Sequence, residues 1–202
     1  VLTGDPKNAG TSCLEMNTFI YVGILGALGY SEDFKMMIQN GFTRKYIFTA
    51  SFVMFAFIGG IMSLVDTVTG NLLHYFLPNY SSLFGVIYGY GDILPNWLWL
   101  FLLYMLTCSL FYLTVLAVHK LEKTLSLCLG VVLVGVILLA VALFRYVLPQ
   151  SLVDDISELA TRAMGFMGGG TVNYLFPLLT LFLLTAVFSL GAYRIIRRTE
   201  VK

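Results

Sequence analysis

An all-α, polytopic bundle of transmembrane helices is the fold class the sequence predicts, and three observations predict it. Of 202 residues, 58% are hydrophobic and only 11% charged, against about 25% charged in an ordinary soluble domain. Mean hydropathy is +0.86. Five stretches approach the ~20 mostly apolar residues that a spanning helix needs, namely Leu14 to Tyr30, Tyr46 to Val65, Trp97 to Val118, Leu125 to Val147 and Tyr174 to Ile196. Twelve Lys and Arg with eleven Asp and Glu, placed as they are, could not cover the surface of a soluble fold of this length. No repeat period and no Pro-rich or low-complexity linker divides the chain, so residues 1–202 read as one domain.

The elements follow in order. Span one carries Glu15 and Asn17 near its outer end. Next comes SEDFKMMIQNGFTRK, residues 31–45, in which Phe34, Met37, Ile38 and Phe42 recur at offsets of three, one and four. That spacing marks an amphipathic helix at the membrane surface. After span two, residues 66–96 hold HYFLPNYSS and YGYGDILPN, a turn-rich and aromatic stretch suited to the far interface. Spans three and four flank HKLEK, and residues 148–173 form a second external segment. Within it, Leu152, Ile156, Leu159, Ala163 and Met164 share a helical face that excludes Asp154, Asp155 and Glu158, so a short helix lies flat before the Gly168, Gly169, Gly170 break. Span five ends in RIIRR.

Cations set the orientation, because cytoplasmic loops carry the excess of Lys and Arg. With alternating spans and an inner C-terminus, Lys35, Arg44, Lys45, Lys120, Lys123, Arg194, Arg197, Arg198 and Lys202 fall inside, and Lys7, Arg145 and Arg162 outside. The N-terminus is then outside and the C-terminus cytoplasmic, in the plasma membrane. An odd number of spans, and a start at Val1 without a signal-peptide pattern, lead to the expectation of one further span upstream.

Several function classes are excluded. A net charge of +1 is not that of a nucleic-acid binder. Cys13, Cys108 and Cys128 make no disulfide framework. His74 and His119 have no carboxylate or Cys at ligand spacing, so no metal site is expected. No HExxH run, paired acids or Ser and His pair suits catalysis, and no Walker A sequence is present, so no catalytic residue and no cofactor is assigned to this chain. Asp66 and Arg145, at predicted outer span ends, are candidate pathway residues, since a charge within the bilayer needs a reason to persist. GYGD, Gly89 to Asp92, has the look of a potassium-filter signature, but Ile87 and Tyr88 stand where a filter carries Thr and Val, and an aromatic external turn is the expectation.

EDFKMMIQNGFTRKYIF resembles the segment that permease subunits of bacterial type-2 ATP-binding-cassette exporters place between their second and third spans: an acidic start, an aromatic, then Gly, a small polar residue and Arg-Lys. Asp66 after span two, SLFGVIYG, HKLEK and the terminal RIIRR are similar to the general run of such permeases. The resemblance implies six spans in the full subunit, a cytoplasmic coupling helix over about 31–45, a separate ATP-binding subunit as partner, and a second permease copy or a related permease. Glu32, Asp33, Lys35, Arg44 and Lys45 would then supply polar contacts to the ATPase, Phe34, Met37, Ile38 and Phe42 would seat in its groove, and Gly41 would end the helix. ATP would bind the partner only. The aromatic and apolar spans suggest an amphipathic or apolar cargo such as a peptide or drug. A non-transporting membrane scaffold or sensor is the alternative, and an ion channel a more distant one.

Overall fold

The computed structural model describes residues 14–29, 32–77, 80–120, 150–167 and 172–198. Seven helices are present among them: α1 Glu15–Leu28, α2 Glu32–Gln39, α3 Arg44–Phe76, α4 Leu83–Tyr88, α5 Ile93–Lys120, α6 Gln150–Ala163 and α7 Leu175–Arg198. No strand occurs among the described residues, only an isolated antiparallel bridge between Phe166 and Val172. The described residues are mostly helical, and α3, α5 and α7 are each long and apolar enough to cross a bilayer. The predicted span Leu125 to Val147, with Arg145, lies outside the described residues.

Helix α5 is central, packing against α7, α1 and α3. Between helices in lipid there is no hydrophobic driving force, so association rests on close packing and hydrogen bonds. Gly26 shows the closeness, because a Cβ there would lie 2.6 Å from the carbonyl oxygen of Cys108 on α5. One turn away the Cys108 thiol sits 3.5 Å from the Val22 carbonyl. Phe19 meets Tyr104 edge-on with ring centroids 5.2 Å apart. Helix α3 turns Ile47, Ser51, Phe55, Gly59, Ser63, Thr67 and Gly70 inward, a stripe at helical spacing, while Val53, Phe57, Ile61 and Leu64 on its other faces are exposed to the apolar surroundings.

Two differences from the sequence reading concern length. Helix α1 has 14 residues, about 21 Å at 1.5 Å per residue, short of a ~30 Å hydrocarbon core. Helix α3 has 33 residues and continues to Phe76, so Asp66 lies inside a helix rather than at its end. The run VDTVTGN reads as an exit from the membrane, yet its polar groups are satisfied within the bundle: Thr67 Oγ1 donates to the Ser63 carbonyl at 2.7 Å and Asn71 Nδ2 to the Thr67 carbonyl at 2.8 Å.

The ends of the bundle differ in chemistry. At one end Arg44 Nη1 donates to the Arg197 carbonyl at 3.0 Å, and Ile47, Leu116 and Ile196 share the core. The start of α3 and the ends of α5 and α7 therefore meet there, with Arg44, Lys45, Lys120, Arg194, Arg197 and Arg198 in their terminal turns. The other end is aromatic: Tyr88 touches Trp99, Phe166 and Tyr174.

Candidate functional site

The segment between α1 and α3 folds as an amphipathic helix and a tight reversal. Phe42 N donates to the Met37 carbonyl and Gly41 N to the Ile38 carbonyl, each at 3.0 Å, the paired bonds of a Schellman ending. Gly41 has φ +83°, a left-handed conformation that costs a residue with a Cβ but not glycine, so it ends the helix as the sequence predicts. Thr43 then caps α3 by accepting from Tyr46 N at 3.4 Å. Arg44 joins that start to the end of α7, and Lys45 beside it is exposed.

Of Glu32, Asp33, Phe34 and Lys35 the structure describes the helical backbone only. Met37 and Ile38, expected to face a partner, are instead half-buried against the bundle core. The outward apolar groups are Met36, 54% exposed, and Phe42, 46% exposed, with Phe42 stacked on Tyr46 at 5.3 Å. Sequence reasoning missed Met36, because the periodicity defines a face without saying which way it points.

A second polar constellation lies toward the aromatic end. Tyr104 Oη donates to Asp66 Oδ2 at 2.5 Å. Glu15 is 2% exposed, its Oε1 accepts from Leu83 N at 3.1 Å, and its Oε2 is buried with no hydrogen-bond partner. A Cβ on Gly70, one turn past Asp66, would stand 3.8 Å from Glu15 Oε1. Asp66 and Tyr104 both lie within electrostatic range of Glu15. Among the described residues no Lys, Arg or His pairs with either carboxylate. Asp66 is the one expected pathway residue that can be placed, and Glu15 is the residue that sequence reasoning did not promote; its signal was an acid in an otherwise apolar run.

A clamped aromatic turn covers this constellation. His74 Nδ1, which carries its proton to donate to a carbonyl, is 3.1 Å from the Tyr80 oxygen, and the His74 and Tyr90 rings stack at 3.5 Å, 2° from parallel. Tyr90 Oη accepts from Ser82 N at 2.8 Å and donates to the Tyr80 carbonyl at 3.2 Å. Ser82 caps α4, accepting from Gly85 N at 3.0 Å. GYGD thus follows α4 as a helix ending and turn, with Gly89 at φ +88° and Tyr90 folded back. Burial pushes the Tyr88 phenol above its ordinary pKa, so it stays a donor to the Met164 carbonyl, 2.9 Å away.

No group of three or more His, Cys, Asp or Glu able to hold a metal occurs among the described residues. Compared with known protein families, curated proteins and solved structures, the chain finds no match.

Proposed function

We propose that this chain is the permease subunit of an ATP-binding-cassette exporter, moving an amphipathic or apolar cargo such as a peptide or drug across the cell membrane with a separate ATPase subunit and a second permease copy. The observation that carries the reading is the rigid reversal at Gly41 together with the Arg44 bond to Arg197. Helix α2 packs on α3 at the basic end, and Arg44, the first residue of α3, bonds to the end of α7. A push on α2 would pass to α3 and, through Arg44, to α7, which is what a lever between an ATPase and a bundle requires. In this reading the basic end is cytoplasmic, Leu125 to Val147 is a further span, and Met36 and Phe42, with Lys45 at their edge, form the contact with the ATPase.

Co-purification of an ATP-hydrolysing subunit with the chain from its native membrane tests this. Burying an apolar side chain of this size contributes about 1.5 to 3 kcal/mol, whereas an exposed ion pair contributes about 0 to 1 kcal/mol. Phe42→Ala and Met36→Ala should therefore reduce recovery of the ATPase, or uncouple hydrolysis from transport, more than Lys45→Ala does. Wild-type recovery and transport in all three variants would reject the coupling role. Binding of a partner that hydrolyses no nucleotide would favour a scaffold instead.

A further inference from the structure

We propose that Glu15, Asp66 and Tyr104 form a binding site for one small monovalent cation, a proton or a sodium ion, held between α1, α3 and α5. The inference goes beyond the permease reading and stands whether or not an ATPase partner exists.

Depth comes first. Asp66 is about 33 Å along α3 from Arg44, and Tyr104 about 24 Å along α5 from Lys120, at 1.5 Å per residue. Measured from the basic end, the site therefore lies between the far third and the far boundary of a ~30 Å hydrocarbon layer. Ionised groups buried in the protein there are costly and are retained with a partner.

Charge comes second. Two carboxylates within electrostatic range of each other repel when both are ionised, and no Lys, Arg or His among the described residues compensates either. Tyr104 Oη donates one hydrogen bond to Asp66, which spreads charge without supplying any. Glu15 has one oxygen bonded to Leu83 N and one buried oxygen without a partner. That oxygen marks a buried acceptor that no donor or cation among the described residues satisfies.

Size and valence narrow the ligand. Glu15 is bordered by α3 at Gly70, by the backbone of Leu83 and by the Tyr80 hydroxyl, 3.4 Å from Leu14 N, and is 2% exposed, which favours a small ligand. A calcium ion takes six to eight oxygens and magnesium a near-ideal octahedron, more than two carboxylates and one phenol oxygen supply; one monovalent cation relieves the repulsion and leaves the second charge on the Tyr104 hydrogen bond. Among the described residues, the other titratable groups toward the cluster are Tyr80 and, behind it, Tyr90 and His74 on the covering turn.

Full-length protein in lipid nanodiscs is titrated with sodium chloride against choline chloride at constant ionic strength, following radioactive sodium binding, and its carboxyl infrared bands are recorded at neutral pH. The site predicts one of two results. Either sodium binds saturably and acid displaces it, with binding lost in Glu15→Gln and Asp66→Asn; or a protonated carboxyl band is present without sodium binding and disappears in one of these variants. Glu158→Gln, at an exposed residue paired with Arg162, should leave either signal unchanged. No saturable sodium binding together with fully ionised carboxyls in the wild type would overturn the proposal, as would an equal loss in Glu158→Gln. If either inner variant fails to fold, the wild-type sodium titration and spectrum decide alone.

Discussion

A tyrosine hydroxyl on a buried carboxylate does more by preventing a loss than by adding a bond. Hydrogen bonds between membrane helices average about 0.6 kcal/mol, but stripping a buried acceptor of its donor costs about 1 to 3 kcal/mol. Tyr104→Phe removes the donor to Asp66 while keeping the ring against Phe19. It should lower stability by about 1 to 3 kcal/mol, read from reversible unfolding in micelles. Thr114→Val, which removes only a local bond to the Leu110 carbonyl at an exposed position, should change it by less than about 0.5 kcal/mol. Equal effects would mean that Asp66 does not depend on Tyr104. At this scale the sequence was a partial guide. It marked Asp66 as an acid needing a reason and showed Glu15 in an apolar run, but the reason, a phenol 38 positions away, is not written locally. Likewise Met36 and Met37 are chemically identical neighbours, and only the seating of α2 on the bundle turns one outward and the other in.

Between helices, space decides more than residue type. Gly26 and Gly59 are both glycines on α5-facing helices. A Cβ at Gly26 would strike backbone, 2.6 Å from the Cys108 oxygen, whereas at Gly59 the nearest atom, on Tyr104, is 3.8 Å away. Gly26→Ala should push α1 off α5 and cost about 1 to 3 kcal/mol, as overpacking does, and Gly59→Ala should be tolerated. Thermal unfolding of the two variants in one detergent checks this, and a stable Gly26→Ala would show that the contact relaxes cheaply. Existence of the long helices was legible: α3, α5 and α7 match three of the five predicted spans, because runs of apolar residues carry that signal strongly. Their ends were not. Helix α3 outlasts its apolar run because Thr67 and Asn71 return their polar groups to the helix backbone, and α4 was missed because six residues capped by Ser82 leave no periodicity to find.

Across the whole molecule, neighbours could not be read from the sequence, since α5 is apolar on every side and no face of it announces a partner. Polarity of the bundle was more accessible, and the structure sharpens its consequence. Described cations concentrate where α3 starts and α5 and α7 end, bound together through Arg44 and Arg197, while Arg162 sits on α6 at the opposite end, paired with Glu158 at 2.6 Å. Translocating several such cations is opposed, so the basic end should stay cytoplasmic. With Cys13, Cys108 and Cys128 replaced, Ser157→Cys on exposed α6 should react with an impermeant thiol reagent in intact cells, and Asn40→Cys at the exposed reversal after α2 only once the membrane is permeabilised. The reverse pattern would invert the orientation and remove α2 from reach of a cytoplasmic ATPase. Labelling of both positions in intact cells would place the two ends on one face, which a bundle crossed by α3, α5 and α7 does not allow.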